Sequence, residues 1–211
     1  MIVLALDTCL AACSAAVLSG DETLAASSVA MTRGHQEHLG PMIGSLMAEA
    51  ALDFAAIDLI AVTIGPGSFT GLRVGLAFAK GLAFALERPC AGVGVLPALA
   101  ASAAVPGLCA AVVGAGRERV YVQLFDGGRA VTAPDILSIG EASALIGAMS
   151  SKGCRRIVGP GAGLIDAIEG AVRLADLLAP DPAAVARLAV TEPMPLRPLY
   201  LRAPDARPRQ P

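Results

Sequence analysis

One pattern constrains this fold more than any other, and the chain uses it twice. A short apolar run feeds a Gly-Pro-Gly turn at "AVTIGPGSFTGL", residues 61–72, and again at "RRIVGPGAGLI", residues 155–165. Each copy follows the same succession of elements. In the first, strand-like segments at 3–6, 14–18 and 23–29 precede a helical stripe from His35, and the buried run 59–64 enters the turn. In the second, segments at 108–113, 120–125 and 130–137 precede a helical segment at 141–149 and the run 156–158. Both read strand, strand, strand, helix, strand, Gly-Pro-Gly, helix. The repeat predicts two similar α/β halves, 1–105 and 106–190. A short strand at 90–93 and a helix at 96–104 complete the first. A helix from Leu164 and another at 182–188 complete the second. The last stretch, 191–211, holds six prolines and reads as an extended, solvated tail.

Composition removes several function classes. Net charge is -2, so no basic field draws nucleic acid or anionic lipid. Aromatic residues make up 3% and Trp is absent, which leaves little to stack single-stranded bases on. The five cysteines, Cys9, Cys13, Cys90, Cys109 and Cys154, form no CxxC and read as small buried residues of a reducing compartment. Residues 89–116 carry no charge, but Pro97, Pro106 and Gly107 break the run, so helix, break and strand fit better than a membrane span. The start, "MIVLALDT", lacks a basic region and meets Asp7 at once, which predicts no signal peptide and a cytoplasmic protein.

The first Gly-Pro-Gly turn matches neither common phosphate pattern. A P-loop needs Lys-Ser/Thr where Leu72-Arg73 stand, and the dinucleotide pattern needs glycine where Thr70 stands. Gly67, Gly71, Gly75, Ala79 and Ala83 instead recur at steps of four, a stripe of small side chains along one helix face. Glycine inside a helix costs roughly 1 kcal/mol against alanine, so the stripe implies close packing. A neighbouring helix, within the chain or on a second chain, is the expected occupant. Leu39, Ile43 and Leu46 form the apolar stripe of the preceding helix, 35–50, with Pro41 predicting a kink or a late start.

Four stretches, "IVLALDT", "RGHQEHLGPMIGSLM", "IAVTIGPGSFTGLRVGLAFAKGLA" and "PLYLR", resemble the TsaB family, also called YeaZ. The resemblance implies two RNase H-like halves, as in actin-like ATPases, sugar kinases and Hsp70, each a mixed sheet with helices. It implies a non-catalytic relative of TsaD. With TsaD and TsaE, such a subunit serves threonylcarbamoyl transfer to the adenosine next to the anticodon of tRNAs reading codons that begin with A. The family's contact with TsaD is a helix bundle, which here maps onto helices 35–50 and 70–86. Expected partner-binding residues are therefore His35, Leu39, Ile43, Leu46, Gly71, Leu72, Arg73, Gly75, Leu76 and Ala79. The same resemblance implies a homodimer when the chain is alone, tRNA contact only through the complex, no membrane and no cofactor of its own. ATP or ADP would enter only within the complex with TsaD and TsaE. Two turns depart from the family: Gly114-Ala115-Gly116-Arg117 replaces an Asp-Ala-Arg type, and Gly159-Pro160-Gly161 replaces Gly-Asp-Gly. Both remove an acidic group from the central cleft.

Candidate chemistry is sparse. Asp7 ends the first strand, where actin-like ATPases place a Mg²⁺-linked Asp. Its following turn, Thr8-Cys9-Leu10-Ala11-Ala12, lacks the glycine that close phosphate approach requires. Asp7, Gly65, Gly67, Ser68 and Thr70 are the candidate nucleotide-edge residues, the alternative being a structural Asp7 that holds local amides. His35 and His38 invite a metal reading, but the gap is shorter than in TsaD relatives and no third His exists. No catalytic or metal-ligating residue is expected. Two readings stand for Arg73: it reaches an acidic partner group, or it lies solvated. Arg197, Arg202, Arg207 and Arg209 read as a solvated tail more readily than as a tRNA contact. The alternative function is an actin-like small-molecule kinase or ATPase with its own nucleotide site. A metallopeptidase would need a third ligand.

Overall fold

A computed structural model of the chain describes residues 1–201. Its first sheet holds β1 (Ile2–Asp7), β2 (Ala12–Ser19), β3 (Glu22–Ala30), β4 (Leu59–Thr63) and β5 (Cys90–Val93), in the order β3-β2-β1-β4-β5. β1 and β2 are antiparallel, as are β2 and β3, whereas β1, β4 and β5 run parallel. The second sheet holds β6 (Leu108–Gly116), β7 (Arg119–Asp126), β8 (Arg129–Ala130), β9 (Asp135–Ser138), β10 (Arg156–Val158) and β11 (Val172–Leu174). Its order is β11-β10-β6-β7-β8, with β9 also antiparallel to β7 and β10 parallel to both β6 and β11. The repeat read from the sequence is thus a repeat of topology, two RNase H-like halves built on mixed sheets. The strand expected over 130–137 forms as two pieces separated by residues 131–134, where Pro134 cannot donate to a ladder.

Helices α1 (His35–Glu49) and α2 (Phe69–Leu86) cover one face of the first sheet. α1 runs through Pro41, whose ring is exposed. Leu4, Leu6, Val17, Ile60 and Val62 meet Leu39, Ile43, Leu46, Leu72 and Leu76 there. Each such side chain contributes about 1.5–3 kcal/mol when fully buried. α4 (Ile139–Ser150) covers the second sheet, its first turn fixed by a capping box between Ser138 and Glu141.

Two helices cross the boundary predicted at 105/106. α3 (Val95–Ala103) belongs to the first half by sequence but packs on β6 and β7. α5 (Pro182–Thr191) belongs to the second half by sequence but covers the free face of the first sheet, where Val185 and Ala186 meet Val3, Ala5 and Leu18. The sheets divide near Pro106; their covering helices are exchanged. Both helices are short and rich in small apolar residues, and they also pack on each other.

Two further expectations change. The second Gly-Pro-Gly leads to a single 3-10 turn, Ala162–Leu164, where a helix from Leu164 was expected. The final segment is extended but not free. Gly92 and Met194 exchange backbone hydrogen bonds of 2.9 Å, and the Leu199 amide donates to the Ile64 carbonyl at 2.8 Å. Residues 192–200 therefore form a strap across β5 and the first Gly-Pro-Gly turn. Arg202, Arg207 and Arg209 lie outside the described residues.

Candidate functional site

The strap, the first Gly-Pro-Gly turn and the turn after β1 meet at the start of α2. Asp7 lies at the end of β1 and is wholly buried. Its Oδ1 accepts from the Cys9 amide at 3.1 Å and from the Thr63 hydroxyl. Burial pushes its carboxyl above the ordinary carboxylate range, against the opposing pull of those hydrogen bonds. The Cys9 thiol is likewise pushed up by burial, and it shares hydrogen bonds with Thr63. Cys13, Cys90 and Cys109 are pushed up to about 11, so these thiols stay protonated and unreactive near neutral pH.

The glycine stripe has an occupant that the sequence did not suggest. A Cβ on Gly67 would strike the Cys9 carbonyl, one on Gly71 the Thr8 carbonyl, and one on Gly75 would lie 2.6 Å from the Thr8 hydroxyl oxygen. Thr8 Oγ1 donates to the Gly71 carbonyl at 2.7 Å, and the Ser68 amide donates to the Cys9 carbonyl at 2.7 Å. The stripe therefore admits the chain's own β1–β2 turn rather than another helix. Ser68 caps α2 by accepting from the Gly71 amide at 3.2 Å. Among the nucleotide-edge candidates, Asp7 and Gly65 are buried, Gly67 is half-buried, and Ser68 and Thr70 are exposed. The backbone of Thr8 and Cys9 fills the space over Gly67 and Gly71. At α1, a Cβ on Gly34 would lie 3.6 Å from Glu37 Oε2, so an acidic side chain of the helix itself already complements its N-terminus.

The residues expected to bind a partner are mostly interior. His35, Leu39, Ile43, Leu46, Gly71, Leu72, Gly75, Leu76 and Ala79 are all buried against the first sheet. Only Arg73 of that set is exposed. The periodicity was real, but it marked the stripe facing this chain's own core. His35 and His38 also separate, the first buried and the second exposed. Among the described residues, no three His, Cys, Asp or Glu side chains gather as a metal-ligand set.

What the helices offer outward is their other face. α2 is apolar apart from Thr70, Arg73 and Lys80, with a mean hydropathy of 1.4, yet only 28% of it is buried. By length and composition it could cross a membrane; here its inner stripe is packed on β1 and β4. Phe69 is 51% exposed and Phe84 is 87% exposed. Between them lie Val74, Ala77, Phe78 and Gly81, and Gly40 of α1 approaches the Phe78 ring. Gln36, Phe69, Thr70, Arg73, Val74, Ala77 and Phe78 line an open groove of about 470 Å³. A helix this apolar on its outer side as well as its inner stripe needs cover beyond its own sheet. That is the signal in "FTGLRVGLAFAKGLAFAL" that stripe-counting missed.

A family model described as TsaD, tRNA N6-adenosine threonylcarbamoyltransferase, matches residues 28–149, more than half of the chain. An uncharacterized protein of Mycobacterium tuberculosis is 33% identical, over 98% of this chain and 94% of its own length. The tRNA threonylcarbamoyladenosine biosynthesis protein TsaB of Escherichia coli is 38% identical, over 49% of this chain and 44% of its own length. A crystal structure from Pseudomonas aeruginosa, described as similar to peptidase YEAZ, superposes with a TM-score of 0.80 at 30% identity, over 95% of this chain and 99% of that one. YeaZ of the same organism superposes at 0.77 with 28% identity, again over 95% and 99%.

Proposed function

Because this chain belongs to the TsaB (YeaZ) family, we propose that it is a non-catalytic subunit for tRNA threonylcarbamoyladenosine biosynthesis. It binds TsaD through the outer faces of α1 and α2. With TsaE, it supports threonylcarbamoyl transfer to the adenosine next to the anticodon of tRNAs reading codons that begin with A. One observation carries the reading: α2 keeps an apolar, exposed outer face in a chain whose core is otherwise closed. Such a face marks a protein contact. The contact residues are Phe69, Arg73, Val74, Ala77, Phe78 and Phe84 rather than the buried stripe.

The non-catalytic part rests on the turn after β1. Asp7 is buried, and Thr8 and Cys9 occupy the space over Gly67 and Gly71. A subunit of this kind acts by differential binding, holding TsaD in a competent state. ATP or ADP enters only within the complex, tRNA is met through TsaD, and the setting is cytoplasmic. Alone, the same face pairs two copies as a C2 dimer.

The test is a reconstituted transfer. TsaD and TsaE of the same organism, unmodified tRNA and threonylcarbamoyl-adenylate are incubated with and without this chain, and modified tRNA is counted. Modification that needs the chain, which alone does nothing, supports the reading. Equal modification in both tubes overturns it. ATP hydrolysis by the chain alone, lost on Asp7→Ala, would favour a small-molecule kinase or ATPase instead.

A further inference from the structure

The outer face of α2 carries one cation between its first residue and Lys80, and that cation is held in place. Arg73 Cζ sits 3.7 Å above the centre of the Phe69 ring. The Phe69 ring is tilted by 31° against Tyr200, with centroids 5.7 Å apart. Arg73 Nε approaches Tyr200 Oη at 3.5 Å. Tyr200 follows Leu199, whose amide is bonded to Ile64, and the strap is fixed again at Gly92 and Met194. Three side chains from α2 and the strap thus form one stack at the end of the apolar groove. Among the described residues, no carboxylate pairs with Arg73.

We propose that Arg73 is the residue by which α2 recognises its partner, taking an Asp or Glu side chain of the helix seated on the outer face, and that Tyr200 of the strap positions it. The proposal rests on the docking reading above and names the chemistry of its partner. A helix laid over Phe69, Ala77 and Phe78 removes water from Arg73 as well. A guanidinium cannot lose its charge, so covering it without an anion would cost several kcal/mol. Stacking on Phe69, with Nε turned to Tyr200, already fixes the plane of the fork and leaves its two Nη groups for two parallel bonds to a carboxylate. An arginine ordered in advance also loses less freedom on binding.

The experiment measures affinity for TsaD by titration calorimetry at low and high salt, with Arg73→Lys, Arg73→Gln, Arg73→Glu, Tyr200→Phe, Tyr200→Ala and the control Ala77→Arg. Arg73 and Ala77 are exposed, so folding should be untouched, and circular dichroism checks it. Arg73→Gln should bind on the order of 30-fold more weakly and lose most of the salt dependence, with Arg73→Glu weaker still. Arg73→Lys should fall between wild type and Arg73→Gln. Tyr200→Phe keeps the ring and should stay close to wild type, whereas Tyr200→Ala should lose roughly 3–5-fold. If Arg73→Gln and Arg73→Glu stay within twofold of wild type while Ala77→Arg abolishes binding, docking stands and the role of Arg73 falls. If the wild type does not bind TsaD, the docking reading itself falls and takes this one with it.

Discussion

After Gly65-Pro66-Gly67 the chain builds an 18-residue helix, whereas after Gly159-Pro160-Gly161 it builds a 3-residue 3-10 turn and an irregular path to β11. The turns themselves do the same work. Gly67 and Gly71 lie on the backbone of Thr8 and Cys9, just beyond β1. Gly159 and Gly161 lie on the backbone of Val112 and Val113, in β6. In both halves a strand-to-helix corner is pressed onto the first strand of its sheet. The difference comes after the corner. Ser68 caps α2, and no proline or sustained polar run interrupts residues 69–86. Gly161 offers no side-chain cap, and Gly163 and Gly170 punctuate the path to β11, with Gly170 at φ +70°. One half thus keeps a long apolar helix with a free outer face, and the other does not. The glycines pack on backbone in both; among the described residues, only the first half keeps a long helix with an exposed apolar face.

Four sets of substitutions break or sharpen that comparison. The largest effect should come from Gly71→Ala, because its Cβ meets the Thr8 carbonyl, a backbone atom that cannot rotate away. We expect a loss of about 3 kcal/mol or more in urea unfolding. Gly161→Ala, placed 2.9 Å from Val112 and Val113 backbone carbons, should cost about 1–3 kcal/mol. If both were tolerated, the corners would not be packed as described.

Ala77→Arg should weaken TsaD binding on the order of 100-fold with an unchanged Tm, since it fills the groove from an exposed position. Leu164→Arg, on the exposed 3-10 turn of the second half, should leave binding alone. Equal losses from the two would erase the distinction between the halves.

The third prediction is pH-dependent. Asp7 has its carboxyl raised by burial, so the folded state holds that proton more tightly than the unfolded chain. Its contribution is fully present below the unfolded carboxylate range and is lost as pH rises through the raised folded value. Asp7→Asn keeps a neutral acceptor for Thr63 and Cys9. Its urea midpoint should exceed that of wild type near neutral pH, and the gap should close as pH falls toward 4. A gap that widens on acidification would mean Asp7 is stabilised as the anion. The smallest effect is shared by both halves. Gly81→Ala in α2 and Gly147→Ala in α4 meet nothing within 4 Å, and each should add about 0.5–1 kcal/mol.

These contrasts also show how much a linear reading can supply. The succession of strands and helices was legible, because the period and turn chemistry around each Gly-Pro-Gly are local, whereas strand order and direction, set by pairing between distant segments, were not. Nor was the exchange of α3 and α5. Both are short, Ala-rich helices, and nothing in their stripes says which sheet they cover. At the candidate site the glycine corner was legible and its occupant was not. Counting steps of four found Gly71, Gly75 and Ala79, but a stripe of small residues does not say what approaches it. The β1–β2 turn, sixty residues away in sequence, was the answer. Leu39, Ile43, Leu72 and Leu76 lie on the two helices that the resemblance assigns to a partner, but they face this chain's own core, the side that an apolar stripe marks first. Phe69, Ala77 and Phe84 break the stripe, which is why they remain outside. Tyr200 stands in the stretch "PLYLR", yet its contact with Phe69 and Arg73 depends on a strap that only the tertiary structure closes.

The central claim is that this chain docks TsaD through the outer faces of α1 and α2. Amide hydrogen exchange of the chain, free and in the presence of TsaD, tests it most directly. The account predicts slowed exchange within residues 36–48 and 69–86, and none within 156–174. Protection confined to the second half, or no protection anywhere, would contradict it.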